Sequence, residues 1–147
     1  MTVKEYLSQA VYYQQMIIRQ RDKIKEIREK AMSPGAIQYD RIRVQTSPAG
    51  DSLADYMAAL EKAEKKMARI LDKYISLYSN IERQISEIRP EVYRQVLAMH
   101  YLDGMTLGKI ARKLNYSYEY IKHVHGRALQ AFERKYSMKG ASDGDNN

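Results

Sequence analysis

The sequence predicts an all-α fold, in which a long coiled-coil-like helical hairpin is followed by several short helices. Three observations carry this prediction. Residues 3–31 place apolar side chains three and four positions apart, residues 53–88 follow a nearly unbroken heptad, and residues 105–129 hold two short helical segments around a turn signal. All three are helical periods, so we expect helices along most of the chain.

Length and composition narrow the class of protein. A chain of 147 residues has room for one compact domain, or for a small domain with an extended helical appendage. The chain has no cysteine, which excludes disulfides and thiolate metal sites. It also lacks an apolar run long enough to span a bilayer, and its N-terminus lacks the apolar core of a signal peptide. We therefore expect a cytoplasmic protein with no membrane partner.

The positive charge is concentrated in the last third of the chain. In total, 25 Lys and Arg face 18 Asp and Glu, and the net charge of +7 favours an anionic partner such as nucleic acid. Residues 89–136 hold nine basic and four acidic residues, a net charge of +5, whereas residues 51–88 hold six and seven, a net charge of −1. The basic excess thus lies on the segment with the two short helices.

The first predicted helix spans residues 3–31 and ends near Met32, where Ser33, Pro34 and Gly35 interrupt it. Gln20 is the one polar residue in its apolar series. That series is Tyr6, Ala10, Tyr13, Ile17, Ile24, Ile27 and Ala31. The connection 32–51 has no helical period; its centre at 39–47 could be extended, and Asp51-Ser52 is predicted to cap the next helix.

The second predicted helix carries two heptad seams and therefore requires a partner along its length. Either the first helix folds back on it as an antiparallel hairpin, or two copies meet along it as a homodimer; a hairpin could also dimerise through another face. Glu64 is the odd residue in these seams and is expected to face Lys or Arg, or to reach water. The seams are Met57, Glu64, Leu71, Tyr78, Ile85 and Leu53, Leu60, Met67, Tyr74, Ile81, Ile88.

Pro90 is expected to close the second helix and to stand in the first turn of the next, which stops at Asp103-Gly104. The polar residues beyond Tyr136 are predicted to be disordered. These boundaries predict three parts: residues 1–88 as a hairpin with the extended connection 32–51, residues 89–136 as a helix-turn-helix, and residues 137–147 as a tail.

Residues 105–129 have the local signals of a helix-turn-helix. Thr106 and Ser117 are suitable N-caps for the two helices, and Asn115 falls where the turn needs a left-handed residue. In such a unit the N-terminal residues of the second helix enter a major groove. The predicted inner face comprises Ile110, Ala111, Leu114, Ile121, Val124 and Ala128, and the side chains left pointing elsewhere are Tyr118, Glu119, Lys122, His123 and Arg127.

On these residues the segment 89–135 resembles the fourth conserved region of bacterial housekeeping-type sigma factors, which reads the upstream promoter element. The whole chain is similar to small phage and prophage proteins of Gram-positive bacteria, including ArpU-like and RinA-like late-operon transcription regulators. The resemblance to sigma factors is carried by Val96-Leu97, Met105-Thr-Leu, Ile110-Ala111, Leu114, Ser117, Glu119, Ile121, Val124 and Arg127-Ala-Leu129.

The resemblance implies a division of labour in the site. Thr106, Leu107 and Arg127 would contact the phosphate backbone, and the helix begun by Ser117 would face bases or nearby phosphates through Tyr118, Glu119, Lys122 and His123. Tyr118 stands where sigma factors have arginine, His123 where they have glutamine and His125 where they have glutamate. Because of these differences we expect a DNA target other than the usual promoter element. The sequence shows no counterpart of the sigma-factor region that melts promoter DNA.

The sequence therefore predicts a sequence-specific DNA-binding transcription regulator. The resemblance implies that it is encoded by a phage and acts in the cytoplasm of the bacterial host. Double-stranded DNA is the expected partner, with RNA polymerase and a second copy as further candidates. A phage DNA-packaging protein of the small terminase type, or a protein that binds RNA polymerase without touching DNA, are the alternatives. Neither a catalytic constellation nor a phosphate-cradling loop is present, so we expect no enzyme and no cofactor.

Other residues near the site have more ordinary interpretations. His123 and His125 diverge on a helix and are not expected to hold a metal, and His100 is expected to pack beside the core. Of Tyr116, Tyr118 and Tyr120, one or two are expected to pack rather than stack on nucleotides. Gly126 lies inside a helix, where a close approach of a neighbouring helix or of the DNA backbone would explain it.

Overall fold

The computed structural model describes residues 1–32 and 49–137, and these residues form an all-α structure of five helices. The fold class predicted from the sequence is confirmed. The helices are α1 (Val3–Met32), α2 (Ala49–Ser86), α3 (Glu91–Leu97), α4 (Leu107–Leu114) and α5 (Tyr118–Phe132). The predicted extended segment 39–47 and most of the predicted tail lie outside the described residues.

The contacts divide the chain into two compact units. The first unit contains residues 1–12 together with residues 74 onward, and the second unit contains residues 13–73. The predicted domains had a boundary at residues 88–89 instead. The hydrophobic core of the first unit crosses that boundary, because side chains from both ends of the chain pack in it. This core consists of Val3, Leu7, Ala10, Ile81, Ile85, Ile88, Leu97, Tyr101, Leu102, Ala128 and Phe132.

The second unit is a helical hairpin, since α1 lies against α2 within it. The side chain of Gln20, only 5% exposed, donates from Nε2 to the carbonyl oxygen of Ala63 at 2.9 Å. The residue that interrupts the apolar series of α1 is therefore a buried amide with a backbone partner, as a buried polar group requires. The antiparallel-hairpin alternative describes this unit.

In the second unit the hairpin buries two residues of α2 that lie outside both predicted seams, whereas the seam residues Leu60 and Met67 are only half-buried. Ala63 and Ile70 are buried, whereas Met57 and Leu71 are exposed to solvent. Glu64 also faces outward, and its Oε1 accepts a hydrogen bond from Nη2 of Arg28 at 2.9 Å. The expectation that Glu64 meets a basic residue is confirmed.

The ends of α2 differ from the sequence prediction. The helix begins at Ala49, so Asp51-Ser52 is not its cap, and it ends at Ser86, two residues before the last heptad position. Ile88 is nevertheless buried in the core of the first unit. Pro90 is the N-cap of α3 rather than part of its first turn, with ψ at 171° in the extended region.

Beyond α3 the chain widens into a π-helical turn, Ala98–Leu102. The amide of Asp103 donates to the carbonyl oxygen of Ala98, and Gly104 then takes a φ of 71°. The predicted stop at Asp103-Gly104 is confirmed, because glycine adopts this left-handed conformation without steric cost.

Candidate nucleic-acid interface

A small hydrophobic cluster holds α3, α4 and α5 together. Its buried members are Val96 from α3, Ile110 and Ala111 from α4, and Ile121 and Val124 from α5. Ala111 is 4% exposed, and its small side chain suits a position where two helices meet. The predicted inner face of the helix-turn-helix is confirmed, including Leu114, which packs against the cluster, and Ala128, which joins the larger core.

The turn between α4 and α5 has the predicted backbone geometry. Asn115 lies in the left-handed region with φ 60° and ψ 41°, a conformation that asparagine tolerates better than other residues with a side chain. The hydroxyl oxygens of Thr106 and Ser117 accept hydrogen bonds from the amides of Lys109 and Tyr120 at 3.2 and 3.1 Å. Both N-caps are confirmed, and they fix where each helix begins.

The side chains on the outward face of α5 are exposed to solvent. Positions 119, 122, 123 and 126 follow helical spacing on the side opposite the buried Ile121 and Val124. This face carries the side chains of Glu119, Lys122 and His123, and Arg127 lies beside them. The exposed site residues predicted from the sequence are Thr106, Ser117, Tyr118, Glu119, Lys122, His123 and Arg127.

Leu107 differs from the other predicted contact residues. Its side chain is half-buried and packs against the small cluster. A contact of this residue with phosphate would therefore use its backbone amide, which lies in the first turn of α4. Amides in this position are not engaged within the helix and are available to an anion.

Three exposed cations on α4 were not singled out in the sequence. Lys109, Arg112 and Lys113 lie on the side of α4 away from the buried Ile110 and Ala111. The charge count of residues 89–136 included them, but only the helical register shows that they share one side. In a helix-turn-helix the first helix crosses the phosphate backbone, so these cations suit phosphate contacts.

The three tyrosines around the start of α5 are all exposed, and none of them packs in the interior. Tyr116 and Tyr120 instead contact each other at the surface, with ring centroids 4.7 Å apart. Tyr118 stands on the opposite side, next to the outward face. The pair holds its rings on the solvent side because the interior positions of this turn are taken by aliphatic residues.

The partly buried histidines link α5 to the π-helical turn. His125 and the hydroxyl of Tyr101 share a hydrogen bond of 2.7 Å, and the rings of His125 and His100 lie 5.1 Å apart. Nδ1 of His100 lies 2.7 Å from the carbonyl oxygen of Met105, so that nitrogen carries the proton. The group thus fixes both α5 and the residue before the cap of α4, and His100 packs as expected.

His125 should make folding stability depend on pH. Burial, followed by the nearby His100 and Lys4, lowers the pKa of His125 from 6.5 to about 4. Between these values the unfolded chain binds a proton that the folded chain does not. The contribution of neutral His125 to the free energy of unfolding is therefore fully present above pH 6.5 and is lost as the pH falls towards 4. The loss should be about 2 kcal/mol after allowance for partial solvent exposure. Urea denaturation at a series of pH values measures this loss.

The variant His125→Asn isolates the effect, because it removes the titrating ring and retains a polar side chain. The difference between wild type and variant should shrink steadily from pH 6.5 to pH 4.5. His123→Asn is the control, since His123 is exposed on the same helix. Parallel pH profiles for wild type and His125→Asn would contradict the assignment.

Gly126 has no neighbour that explains it within the described structure. A Cβ built on this residue would meet no atom within 4 Å. The expected close approach of a neighbouring helix is therefore wrong, because the residue lies on the exposed side of α5. An approach of the DNA backbone remains a prediction. His123 and His125 point to opposite environments, one to solvent and one to Tyr101.

A comparison with known protein families gives this geometry a name. Residues 90–132 match the family model for sigma-70, region 4. The match begins at the N-cap of α3 and ends at the last residue of α5, and it covers less than a third of the chain. Comparisons with curated proteins and with solved structures gave no match.

The C-terminal helices are thus a sigma-region-4-like helix-turn-helix of the DNA-binding type, as the sequence predicted. The residue-by-residue roles within this region-4-like unit stay predictions, as does the likeness of the whole chain to phage regulators. Within residues 1–32 and 49–137, no helix is long and apolar enough to cross a membrane.

Proposed function

We propose that the chain is a sequence-specific DNA-binding transcription regulator that binds duplex DNA through residues 105–130. We further propose that it is phage-encoded, acts in the cytoplasm of the bacterial host, works without catalysis, and regulates transcription together with host RNA polymerase. The region-4-like unit supports the DNA-binding part of this proposal. The phage and polymerase parts draw on the resemblance of the whole chain to late-operon regulators.

The exposed outward face of α5 is the observation that carries the proposal. Glu119, Lys122 and His123 project from a helix whose start is fixed by the Ser117 cap and whose opposite side is anchored by buried Ile121. Polar side chains held on a rigid, solvent-facing helix are what direct readout of a major groove requires. The core of a protein–protein interface is instead depleted in charged residues.

Two kinds of contact would divide the work. The cations of α4 and Arg127 would supply affinity by neutralising phosphates, and this part of binding weakens as salt rises. The side chains of α5 would supply sequence preference: a glutamate carboxylate accepts from the amino group of cytosine, and a lysine donates to guanine. Tyr118 and His123 replace the residues that sigma factors use here, so the preferred sequence should differ from the usual promoter element.

The substitution Glu119→Gln should change which base pairs are preferred. A glutamine amide both donates and accepts, which suits adenine, whereas the carboxylate only accepts and suits cytosine. We expect the cytosine preference at one position to fall by about tenfold, within the range of one base contact. Selection of bound duplexes from a randomised pool, followed by sequencing, measures the change.

Glu133→Gln is the matched control, since this exposed glutamate lies just after α5. Its preferences should equal those of wild type. If Glu119→Gln also selects the wild-type sequences, then Glu119 does not read a base.

The function is tested by selecting fragments of the source genome with the purified full chain and mapping them. Enrichment of promoter regions, with affinity that falls as salt rises, supports the proposal. Enrichment at packaging sites would favour the small-terminase alternative, and absence of salt-dependent binding would favour a protein that contacts polymerase alone. Co-purification with host RNA polymerase, with and without an enriched fragment, tests the polymerase contact separately.

A further inference from the structure

Helix α2 carries an apolar stripe that the hairpin does not cover. Met57 and Leu71 are 55% and 36% exposed, although they belong to one predicted heptad seam. Leu53 and Ile75, one turn further in each direction along the helix, are 62% and 59% exposed. Exposed large apolar residues that recur on one face of a helix mark an interaction surface rather than chance exposure.

The apolar residues of this stripe are placed symmetrically about Glu64 along the helix. Met57 and Leu71 lie seven residues to either side of it, and Leu53 and Ile75 lie eleven residues to either side. A helix turned end for end therefore places apolar residues against apolar residues along the whole stripe. Such self-complementarity is what a two-fold symmetric interface between identical chains requires, because the same patch serves both copies.

We propose that this face of α2 binds a second copy of the chain, antiparallel, with Glu64 of each copy near the two-fold axis. In this register Met57 meets the partner's Leu71, and Leu53 meets the partner's Ile75. Shifts of one heptad would set Glu64 against an apolar residue. A polar residue in an otherwise apolar seam fixes the register in this way, at some cost in stability.

The charge of Glu64 is already balanced within each copy. Nη2 of Arg28 donates to Oε1 of Glu64 at 2.9 Å, and both side chains remain about half exposed. Two bare carboxylates meeting at an axis would repel each other. In the dimer, the two pairs of Glu64 and Arg28 would instead form a cluster of four charges of alternating sign. Such a cluster can lie at the two-fold axis because the side chains remain partly exposed to water. Ala68 lies between Glu64 and Leu71 and leaves room for close approach.

Sedimentation equilibrium of the full chain tests the proposal. Wild type should show a reversible monomer–dimer equilibrium, and Met57→Glu or Leu71→Lys alone should weaken it by at least about tenfold, as expected for a charge set against an apolar partner. The double variant Met57→Glu/Leu71→Lys should recover dimerisation, because antiparallel pairing sets opposite charges together. Parallel pairing would set like charges together and give the weakest dimer. Circular dichroism checks that each variant remains helical.

Cross-linking tests the direction of pairing independently, since the chain has no natural cysteine. Met57→Cys and Leu71→Cys should not form disulfides with themselves, because each position lies about 21 Å from its own symmetry mate in the antiparallel register. An equimolar mixture of the two variants should cross-link. Lys62→Cys mixed with Leu71→Cys is the control, as Lys62 lies on another side of α2.

Three results would overturn the proposal. These are a monomer at every concentration, a dimer unaffected by substitutions in the stripe, or self-cross-linking of both single-cysteine variants. None of these measurements contains DNA, so the proposal can fail while the proposed function holds. Arg28→Ala should also weaken the dimer, because it removes the cation that pairs with Glu64. Arg21→Ala, which removes another exposed arginine of α1, should not.

Discussion

The double variant Lys122→Ala/Arg127→Ala is expected to lose about 100-fold or more in affinity for duplex DNA at roughly 0.1 M salt, as two polar contacts to DNA are removed together. Both side chains are exposed on α5, and neither belongs to the hydrophobic cores. The slope of log affinity against log salt should fall by about 0.9 for the phosphate contact of Arg127, and by no more than about 1.8 in total when the charge of Lys122 is lost as well. Fluorescence anisotropy with a selected duplex, at several salt concentrations, measures both quantities.

The control is Lys62→Ala/Lys66→Ala, which removes the same charge from exposed positions of α2. It should change affinity less than about threefold, by a general electrostatic effect alone. Equal losses in the two double variants would mean that net charge, rather than the face of α5, governs binding. That result would count against the proposed site.

The variant Phe132→Ala is expected to lower the free energy of unfolding by about 3–5 kcal/mol, the range for truncating a buried phenylalanine. Phe132 is 2% exposed, and its ring lies 4.8 Å from that of Tyr136 and 6.2 Å from that of Tyr6. The cavity would open in the core that the helix-turn-helix shares with the first residues of the chain. Urea denaturation followed by circular dichroism gives the change.

Tyr118→Ala removes an aromatic ring of similar size from an exposed position on the same helix. Its unfolding free energy should stay within about 0.5 kcal/mol of wild type. A loss of less than about 1 kcal/mol for Phe132→Ala would show that the core of the first unit tolerates a large void, contrary to its burial.

The parts of the fold that follow local rules could be predicted from the sequence. Thr106, Asn115 and Ser117 were identified correctly because capping and left-handed turns depend on a few adjacent residues. The buried stripe of α5 follows in the same way from the helical period. The bounds of α1 were also predicted, since a proline and a glycine follow it.

Features that depend on distant parts of the chain could not be predicted. The heptad of α2 predicted two seams, but the position of α1 decides that Ala63 and Ile70, which belong to neither seam, are buried and that Met57 is not. Gln20 looked like an interruption because its partner, a carbonyl oxygen 43 residues away, is invisible in the local pattern. The π-helical turn has no clear sequence signal, since it replaces one set of backbone hydrogen bonds by another.

Within the candidate site, sequence identified which residues point outward but not what surrounds them. The contact between Tyr116 and Tyr120 and the hydrogen bond between Tyr101 and His125 both depend on the exact packing of α5. The cations of α4 were counted in the charge balance, yet their common side became clear only from the register of Ile110. The helical period thus predicts which side of a helix is exposed, whereas the contacts of each side chain depend on tertiary packing.

The participation of Val3, Leu7 and Ala10 in the same core as Phe132 has a consequence for biosynthesis. Val3, Leu7 and Ala10 are synthesised more than a hundred residues before α5, so the core of the helix-turn-helix cannot be completed until both segments have left the ribosome. A nascent chain stalled before α5 should leave Val3, Leu7 and Ala10 exposed, and a fragment beginning at residue 89 should leave Phe132 exposed. Either species should become a substrate for chaperones and proteases.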